Sequence, residues 1–322
     1  QYSGEPERSP SDLNVAFCAD GRDLSSGYNF LFGGGGQKFD RLMRGNAVLA
    51  ERPFAERKDK PHQDWNRVRI EKRGNMVRAS VDDSPIFEQR DPDPLSGGHL
   101  GLWTYDGGLV LTRVRVWYER RSPGVPAFTP RPTLQVSDGM GNPANDFEAT
   151  VGCWTPGDDS EAAVITLDPS TASGGRQSLR VTNAAGGGYF AVWATKKSFS
   201  AAKTPLLRFA YKLQPNVKIN LYAQVDGWWR EITMTAPAVG GTSRRLLGKI
   251  ESVTADDQWH QAEFDLLSAL QKTGVPADHA TLEALAFAAP DTGYLRAGLG
   301  GNPLGATYWV DEFRLEAGKG EA

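Results

Sequence analysis

Residues 217–225 read Val-Lys-Ile-Asn-Leu-Tyr-Ala-Gln-Val, with apolar side chains at the odd positions and more polar ones at the even positions. Successive side chains of a β-strand point to opposite faces of its sheet, so this period of two predicts a strand with one buried face. The stretches 207–213 and 76–82 show the same alternation. Only 263–272 has the pattern of a helix, and a short one. The sequence therefore predicts an all-β protein.

A further strand is predicted at 110–118, where Val110, Thr112, Val114, Val116 and Tyr118 alternate with their neighbours. The opposite face of this strand, together with the matching face of the strand before it, carries basic and aromatic side chains: Trp103, Tyr105, Arg113, Arg115 and Trp117. Such a face could bind an acidic glycan, or it could be covered by the other sheet, by the second domain or by a partner chain.

Prolines mark the boundary between two domains. Five of them fall between residues 121 and 145, a density that suits a stiff, extended linker: Pro123, Pro126, Pro130, Pro132 and Pro143. We predict a β-sandwich at 1–120, a linker at 121–144 and a second β-sandwich at 145–318.

Composition narrows the class of partner. The net charge of −3 over 322 residues argues against nucleic acid, and no apolar run approaches the roughly 18 residues that span a bilayer. Abundant glycine, proline and tryptophan in a strand-rich chain are typical of extracellular β-sandwich modules, so we expect a secreted protein. Cys18 and Cys153 are the only cysteines, and two buried thiols are a more common outcome than one distant disulfide.

A series of short motifs runs through the first domain: Trp-Asn-Arg-Val-Arg-Ile at 65–70, Gly-Asn at 74–75, Val-Asp at 81–82 and Gly-His-Leu-Gly-Leu-Trp at 98–103, followed by a last strand with Val-Arg-Val at 114–116. This series resembles the closing half of a concanavalin/laminin-G-like jelly roll. Members of that superfamily carry several earlier strands, so one sheet is expected to have an open edge. Truncation, cleavage of a precursor or a strand supplied by a neighbouring subunit would each account for it.

The second domain opens with Asn-Asp-Phe-Glu at 145–148 and closes with Tyr-Trp-Val-Asp-Glu-Phe at 308–313, with Trp-His at 259–260 between them. This pair of opening and closing motifs resembles a carbohydrate-binding module of the galactose-binding-like kind, and Trp-His fits the same pattern. The resemblance implies a jelly-roll β-sandwich that binds a glycan. Trp259 and Trp309 are expected in the core.

The same resemblance implies a structural calcium ion between the first and last strands. Glu148, Asp311 and the carbonyls of Gly174 and Gly175 offer oxygen ligands of the type that calcium takes. Asp311 shares a strand face with apolar residues, and a carboxylate there needs a cation or hydrogen-bond donors. The alternative is that Asp311 accepts backbone N–H groups or pairs with an arginine.

Sugars present apolar C–H faces and hydroxyl edges, so a binding surface combines flat aromatic rings with polar side chains. On the second domain six residues could line one concave face: Trp193, Tyr222, Gln224, Trp228, Trp229 and Arg230. Trp228 and Trp229 are adjacent, so at least one of the two must be exposed if they lie on a strand.

No catalytic motif stands out. The Glu-x-Asp-x-x-Glu spacing of retaining glycosidases on the concanavalin fold is absent, and the four histidines are scattered. We therefore predict a secreted, non-catalytic protein that binds polysaccharide or cell-surface material. One alternative is a structural subunit of an extracellular fibre or surface layer, assembled from identical chains. The other is a fragment of a polysaccharide hydrolase or lyase.

Overall fold

The structure, a computed structural model, describes residues 12–54, 65–105, 110–120, 138–157, 163–235, 245–290 and 298–317. Strands dominate these residues, which confirms the predicted all-β class. In the described part of the chain no helix is long and apolar enough to cross a membrane.

Among the described residues, eight strands precede residue 105: β1 (Leu13–Ala19), β2 (Tyr28–Gly33), β3 (Phe39–Arg44), β4 (Ala47–Pro53), β5 (Val68–Arg73), β6 (Met76–Val81), β7 (Ser84–Arg90) and β8 (His99–Trp103). They form a five-stranded sheet in the order β4-β3-β2-β1-β8 and a three-stranded sheet in the order β5-β6-β7. The alternation at β6 is confirmed, because Val77, Ala79 and Val81 are buried while Arg78 is exposed. Their apolar side chains meet Phe30 and others from the larger sheet in one core.

A glycine run makes the turn between β2 and β3. Gly33, Gly35 and Gly36 all have positive φ angles of 64° to 72°, a region that residues with a Cβ seldom enter. The single helical turn α1 (Gly34–Gln37) lies within this turn.

In the second part of the chain the structure describes thirteen strands: β9 (Thr155–Pro156), β10 (Ala163–Asp168), β11 (Ser178–Asn183), β12 (Val192–Thr195), β13 (Phe199–Ser200), β14 (Leu206–Leu213), β15 (Asn220–Val225), β16 (Trp228–Thr233), β17 (Arg245–Lys249), β18 (Trp259–Asp265), β19 (Thr281–Leu282), β20 (Ala284–Ala288) and β21 (Thr307–Glu316). They form a five-stranded sheet in the order β10-β11-β21-β14-β18 and a six-stranded sheet in the order β17-β16-β15-β20-β12-β9. A small pair, β13-β19, is separate.

Trp154 lies at the centre of this second β-sandwich. It is fully buried, and its ring contacts those of Phe147, Phe287 and Phe313 at centroid distances of 4.9 to 5.8 Å. The sequence predicts Trp259 and Trp309 in the core. Trp309 is buried, at 8% exposure, but neither residue belongs to the cluster around Trp154. Both lie on the outward side of the five-stranded sheet, since Trp309 pairs with Lys212, which in turn pairs with Trp259.

The helix expected at 263–272 is shorter than predicted. Strand β18 continues to Asp265, and only α2 (Leu266–Lys272) is helical. Asp265 sets this boundary, because its Oδ1 accepts a hydrogen bond from the backbone N–H of Ser268 at 2.8 Å and so caps the helix.

The strand predicted at 110–118 is not formed, and this expectation is wrong. Residues 110–120 carry no helix or strand, and their apolar side chains are exposed. The basic-aromatic face expected there is not assembled either. Trp103 instead packs beside a small apolar cluster that joins the two parts of the chain.

That cluster brings the loop before β21 against the first five-stranded sheet. Leu299 is buried with Leu31 of β2 and Met43 of β3. Next to it, the backbone N–H of Gly300 donates to Oδ1 of Asn46 at 2.9 Å. Strands from the two halves join separate sheets, but the halves touch directly. The exact domain bounds stay a prediction, and residues 121–137 of the linker lie outside the described residues.

Candidate functional site

The outward side of the six-stranded sheet carries most of the residues predicted to bind a glycan; we call it the outer face. On β15, Leu221, Ala223 and Val225 enter the core, so Tyr222 and Gln224 point outward, as the alternation predicted. Antiparallel pairing with β16 fixes which neighbours they have. Tyr222 lies opposite Glu231, and Gln224 lies opposite Trp229.

One row of residues crosses the sheet on this face. Trp193 of β12 pairs with Ala286 of β20, Ala286 pairs with Tyr222, and Tyr222 pairs with Glu231. The parallel neighbour of Glu231 on β17 is Leu246, which is exposed. Large aromatic residues therefore lie on both sides of a strand that has only small side chains on this face: Ala284, Ala286 and Ala288.

The indoles of Trp193 and Trp229 meet above these alanines. Strands β12 and β16 are separated by β20 and β15, a distance of about 14 Å between backbones. The ring centroids are nevertheless only 5.1 Å apart, with planes inclined at 56°. Each side chain must therefore lean across the sheet towards the other. Alanine at position 286 leaves the space that this contact needs.

The indole pair is partly exposed and has polar groups around it. Both rings have intermediate exposure, as has Gln224 beside Trp229. The Nζ of Lys196 lies 5.1 Å from the ring centroid of Trp193, within cation–π range. The buried Nε1 of Trp193 has no hydrogen-bond partner among the described residues. An aromatic surface edged by an amide and an ammonium group can stack on a sugar ring and bind its hydroxyls.

A buried polar cluster supports the strands beneath this surface. Glu231 accepts hydrogen bonds from Asn220 at 3.1 Å, from Thr233 at 3.2 Å and from the hydroxyl of Tyr222 at 3.2 Å. Both Glu231 and Tyr222 are 2% exposed. Asn220 also accepts from the backbone N–H of Met234 at 2.8 Å. These bonds satisfy the buried carboxylate and hold β15 and β16 in register.

Two predicted residues do not belong to the outer face, which corrects the expectation that all six line one surface. Arg230 pairs with Ala223, so it has the core parity; it is 5% exposed and donates to Oγ1 of Thr273 at 3.0 Å. Trp228 pairs with Val225 and points to the same side as Arg230. It is 63% exposed because it begins its strand at the rim of the core.

Tyr222 is on the predicted face but is too buried to touch a ligand directly. Its contact with Glu231 gives it a supporting position instead. Sequence reasoning missed Glu231 and Lys196. Glu231 could have been found, since it shares strand parity with Trp229; Lys196 comes after β12 ends, and no pattern places it near a ring.

The two carboxylates expected to hold calcium accept backbone N–H groups. One oxygen of Asp311 accepts from Ser173 at 2.8 Å and from Gly174 at 3.1 Å, and the other accepts from Glu312 at 2.8 Å. Oε1 of Glu148 accepts from the backbone of Arg176 at 2.8 Å and of Gln177 at 3.1 Å.

These contacts fit the alternative to calcium. Burial raises the pKa of Asp311, whereas the backbone N–H groups of Arg176 and Gln177 lower the pKa of Glu148. Among the described residues no three His, Cys, Asp or Glu side chains are grouped as metal ligands. Backbone N–H groups therefore already bind both carboxylates in this structure, and the calcium ion stays a prediction.

Both cysteines are free, as expected, although Cys18 is partly exposed rather than buried. Cys153 is buried, and its Sγ lies 3.1 Å from the carbonyl oxygen of Ala194. Burial raises the pKa of both thiols, which keeps them in the unreactive protonated form.

Comparison with known proteins gives structural neighbours only. No protein-family profile matches the chain, and no curated protein matches it in sequence. The C-terminal family 22 carbohydrate-binding module of Clostridium thermocellum Xyn10B is 16% identical with a TM-score of 0.31, over 55% of this chain and 94% of that one. The family 11 module of Lic26A-Cel5E from the same organism is 15% identical with a TM-score of 0.33, over 54% and 92%.

A glycoside hydrolase domain, Endo-D from Streptococcus pneumoniae R6, is 16% identical with a TM-score of 0.34. The match covers 54% of this chain but only 24% of the hydrolase, so the chain spans about a quarter of that neighbour's length. Similarity at this level does not transfer a ligand or an activity. The function has to be inferred from the chain's own residues.

Proposed function

We propose that this chain is a secreted, non-catalytic carbohydrate-binding protein and that the outer face of its six-stranded sheet is the binding surface. The observation that carries the proposal is the contact between Trp193 and Trp229 above Ala286. A partly exposed pair of flat rings is suited to the apolar face of a sugar.

Polar groups at the edge of the indole pair give the surface its specificity. Gln224 offers both a donor and an acceptor next to Trp229, and Lys196 offers a cation next to Trp193. The bonds from Asn220, Tyr222 and Thr233 to Glu231 restrain the backbone below. Such restraint lowers the conformational entropy lost on binding, as in other preformed sites.

Substitution of adjacent tryptophans tests the proposal. The expected result is that Trp229→Ala lowers the affinity for a bound polysaccharide about tenfold or more, because a central aromatic contact is lost. Trp228→Ala is the matched control, since Trp228 is exposed but lies on the opposite side of the same strand. A panel of neutral and acidic polysaccharides in affinity electrophoresis identifies the ligand, and titration calorimetry then measures each variant.

Equal losses in the two variants, or no binding to any member of the panel, would contradict this assignment. Trp193→Ala provides a second measurement on the other ring of the pair. The alternative of a hydrolase or lyase fragment stays a prediction, and release of reducing ends or unsaturated sugars from the same polysaccharides would reveal it.

A further inference from the structure

Residues 110–118 have the sequence of a strand but no place in a sheet. Val114 and Val116 are 52% and 56% exposed, and Val110 and Tyr118 are more exposed still. Their parity is opposite to that of Arg113 and Arg115. The other side of such a strand carries Leu111 and Trp117 besides the two arginines. Apolar side chains that recur at every second position and remain exposed are the pattern of a strand that covers a core.

The first domain has an edge that such a strand fits. Strand β8 ends the order β4-β3-β2-β1-β8, so one side of its backbone has no partner among the described strands. Leu100 and Leu102 of β8 pair with Phe17 and Val15 of β1, which belong to the core. The two leucines therefore face the interior side of the sheet.

The opposite sheet does not cover this edge. In the part of the chain that the structure describes, this sheet has three strands against five, and its strand β7 contacts β4, at the far side from β8. Leu100 consequently remains 46% exposed although it has the core parity. An unpaired backbone edge combined with an uncovered apolar side chain is a site for strand addition.

We propose that residues 110–118 of one chain add as a strand to the β8 edge of a second copy, and that the exchange is reciprocal. Val114 and Val116 then cover Leu100 and Leu102, while Arg113 and Arg115 point away from the core. The partner is a second copy because each chain carries both halves of the contact and, in the structure, does not join them to each other. In a closed twofold dimer, each copy donates its 110–118 strand to the β8 edge of the other, so both edges are paired.

This interaction is independent of the carbohydrate surface, which lies on another sheet. Light scattering during size-exclusion chromatography of the full chain tests it first. The expected mass is twice the 35.1 kDa of one chain. A single-chain mass at every concentration loaded would overturn the proposal.

Two variants locate the contact. Val114→Lys with Val116→Lys removes the donated strand and is expected to give the mass of one chain, whereas Arg113→Lys with Arg115→Lys is the matched control and keeps the dimer. All four side chains are exposed, so the fold is not at risk. A dimer that survives the valine substitutions overturns the proposal.

Complementation separates this contact from any other dimer interface. Leu100→Lys blocks the receiving edge but leaves the donated strand intact, and alone it is expected to run as one chain. Mixed with the Val114→Lys, Val116→Lys variant, it can still donate a strand to an intact edge. Recovery of a mixed dimer supports the exchange, and failure to recover one overturns it.

Discussion

The hydroxyl of Tyr28 joins the two sheets of the first domain. It donates to Oδ2 of Asp91 at 2.6 Å and accepts from the backbone N–H of Leu95 at 3.0 Å. Arg44 donates to the same carboxylate oxygen at 2.8 Å. Burial and the bond to Asp91 raise the pKa of Tyr28 to about 12. The folded protein therefore holds this phenol in its neutral form.

The raised pKa of Tyr28 should make the protein less stable at alkaline pH. An unfolded tyrosine ionises near pH 10, so between about pH 10 and 12 only the unfolded chain loses the proton, and stability falls as pH rises. Tyr28 contributes about 3 kcal/mol to that loss by linkage. Tyr28→Phe is expected to be less stable at pH 8 by about 1–3 kcal/mol and to lose less stability above pH 10. Urea unfolding at both pH values measures the difference, and identical alkaline losses would contradict it.

At the same scale, parity identified the binding residues better than residue type did. The alternation of 217–225 correctly placed Tyr222 and Gln224 on the outward side. The sequence Trp228-Trp229-Arg230 gave no such guidance, because the turn at Gly227 had to be placed before the parity of β16 could be known. How buried Tyr222 is depends on neighbouring strands, which no local pattern reveals.

Among elements, the turn at 171–177 depends on carboxylates from two distant parts of the chain. The carboxylate of Asp311 on β21 accepts hydrogen bonds from the backbone N–H groups of Ser173 and Gly174. The carboxylate of Glu148 accepts hydrogen bonds from those of Arg176 and Gln177. The opening and closing motifs of the second domain thus meet at one turn. The sequence predicts that these two motifs lie close together. It leaves open what links them, because a carboxylate can bind either a calcium ion or backbone N–H groups.

Calcium addition distinguishes the two. We expect the thermal unfolding temperature to be the same with calcium and with EDTA, because N–H groups already satisfy both side chains. Asp311→Ala is expected to lower it by several degrees under both conditions, through loss of hydrogen bonds to a charged group. Calorimetric scans of both proteins provide the measurement. A rise with calcium that Asp311→Ala abolishes would establish a metal site instead.

The alternation of 76–81 and that of 110–118 are equally regular, yet only the first forms a strand. The first is followed by a tight turn and pairs on both sides with adjacent strands. The second needs a partner that is distant or in another molecule. Sequence patterns report which side of a strand is apolar, but not whether an edge is available.

For the whole molecule, Leu299 makes a direct contact between the two β-sandwiches. Leu299 is 3% exposed between Leu31 and Met43. Nothing in the local sequence distinguishes this glycine-rich loop as an interface. A proline-rich linker suggested separation, but the buried leucine shows direct contact.

Replacing Leu299 with a charged residue should break the contact between the two β-sandwiches. Leu299→Asp buries an unpaired charge, so we expect the contact to open and the radius of gyration from small-angle scattering to increase. Leu304→Asp is the control, because Leu304 lies in the same loop but is 41% exposed. Equal radii of gyration for both variants and the unaltered chain would show that the contact does not hold the halves together.

The buried contact of Leu299 also affects how the protein would bind a long polysaccharide. If the halves of each chain move as one body, a dimer joined through its first domains presents two outer faces at a fixed separation. A polysaccharide with repeated units that matches this span can occupy both faces, and the second attachment then benefits from a high effective concentration. A polysaccharide bound at both faces would dissociate slowly even if its affinity for each face is weak. An oligosaccharide too short to reach both faces would not dissociate slowly.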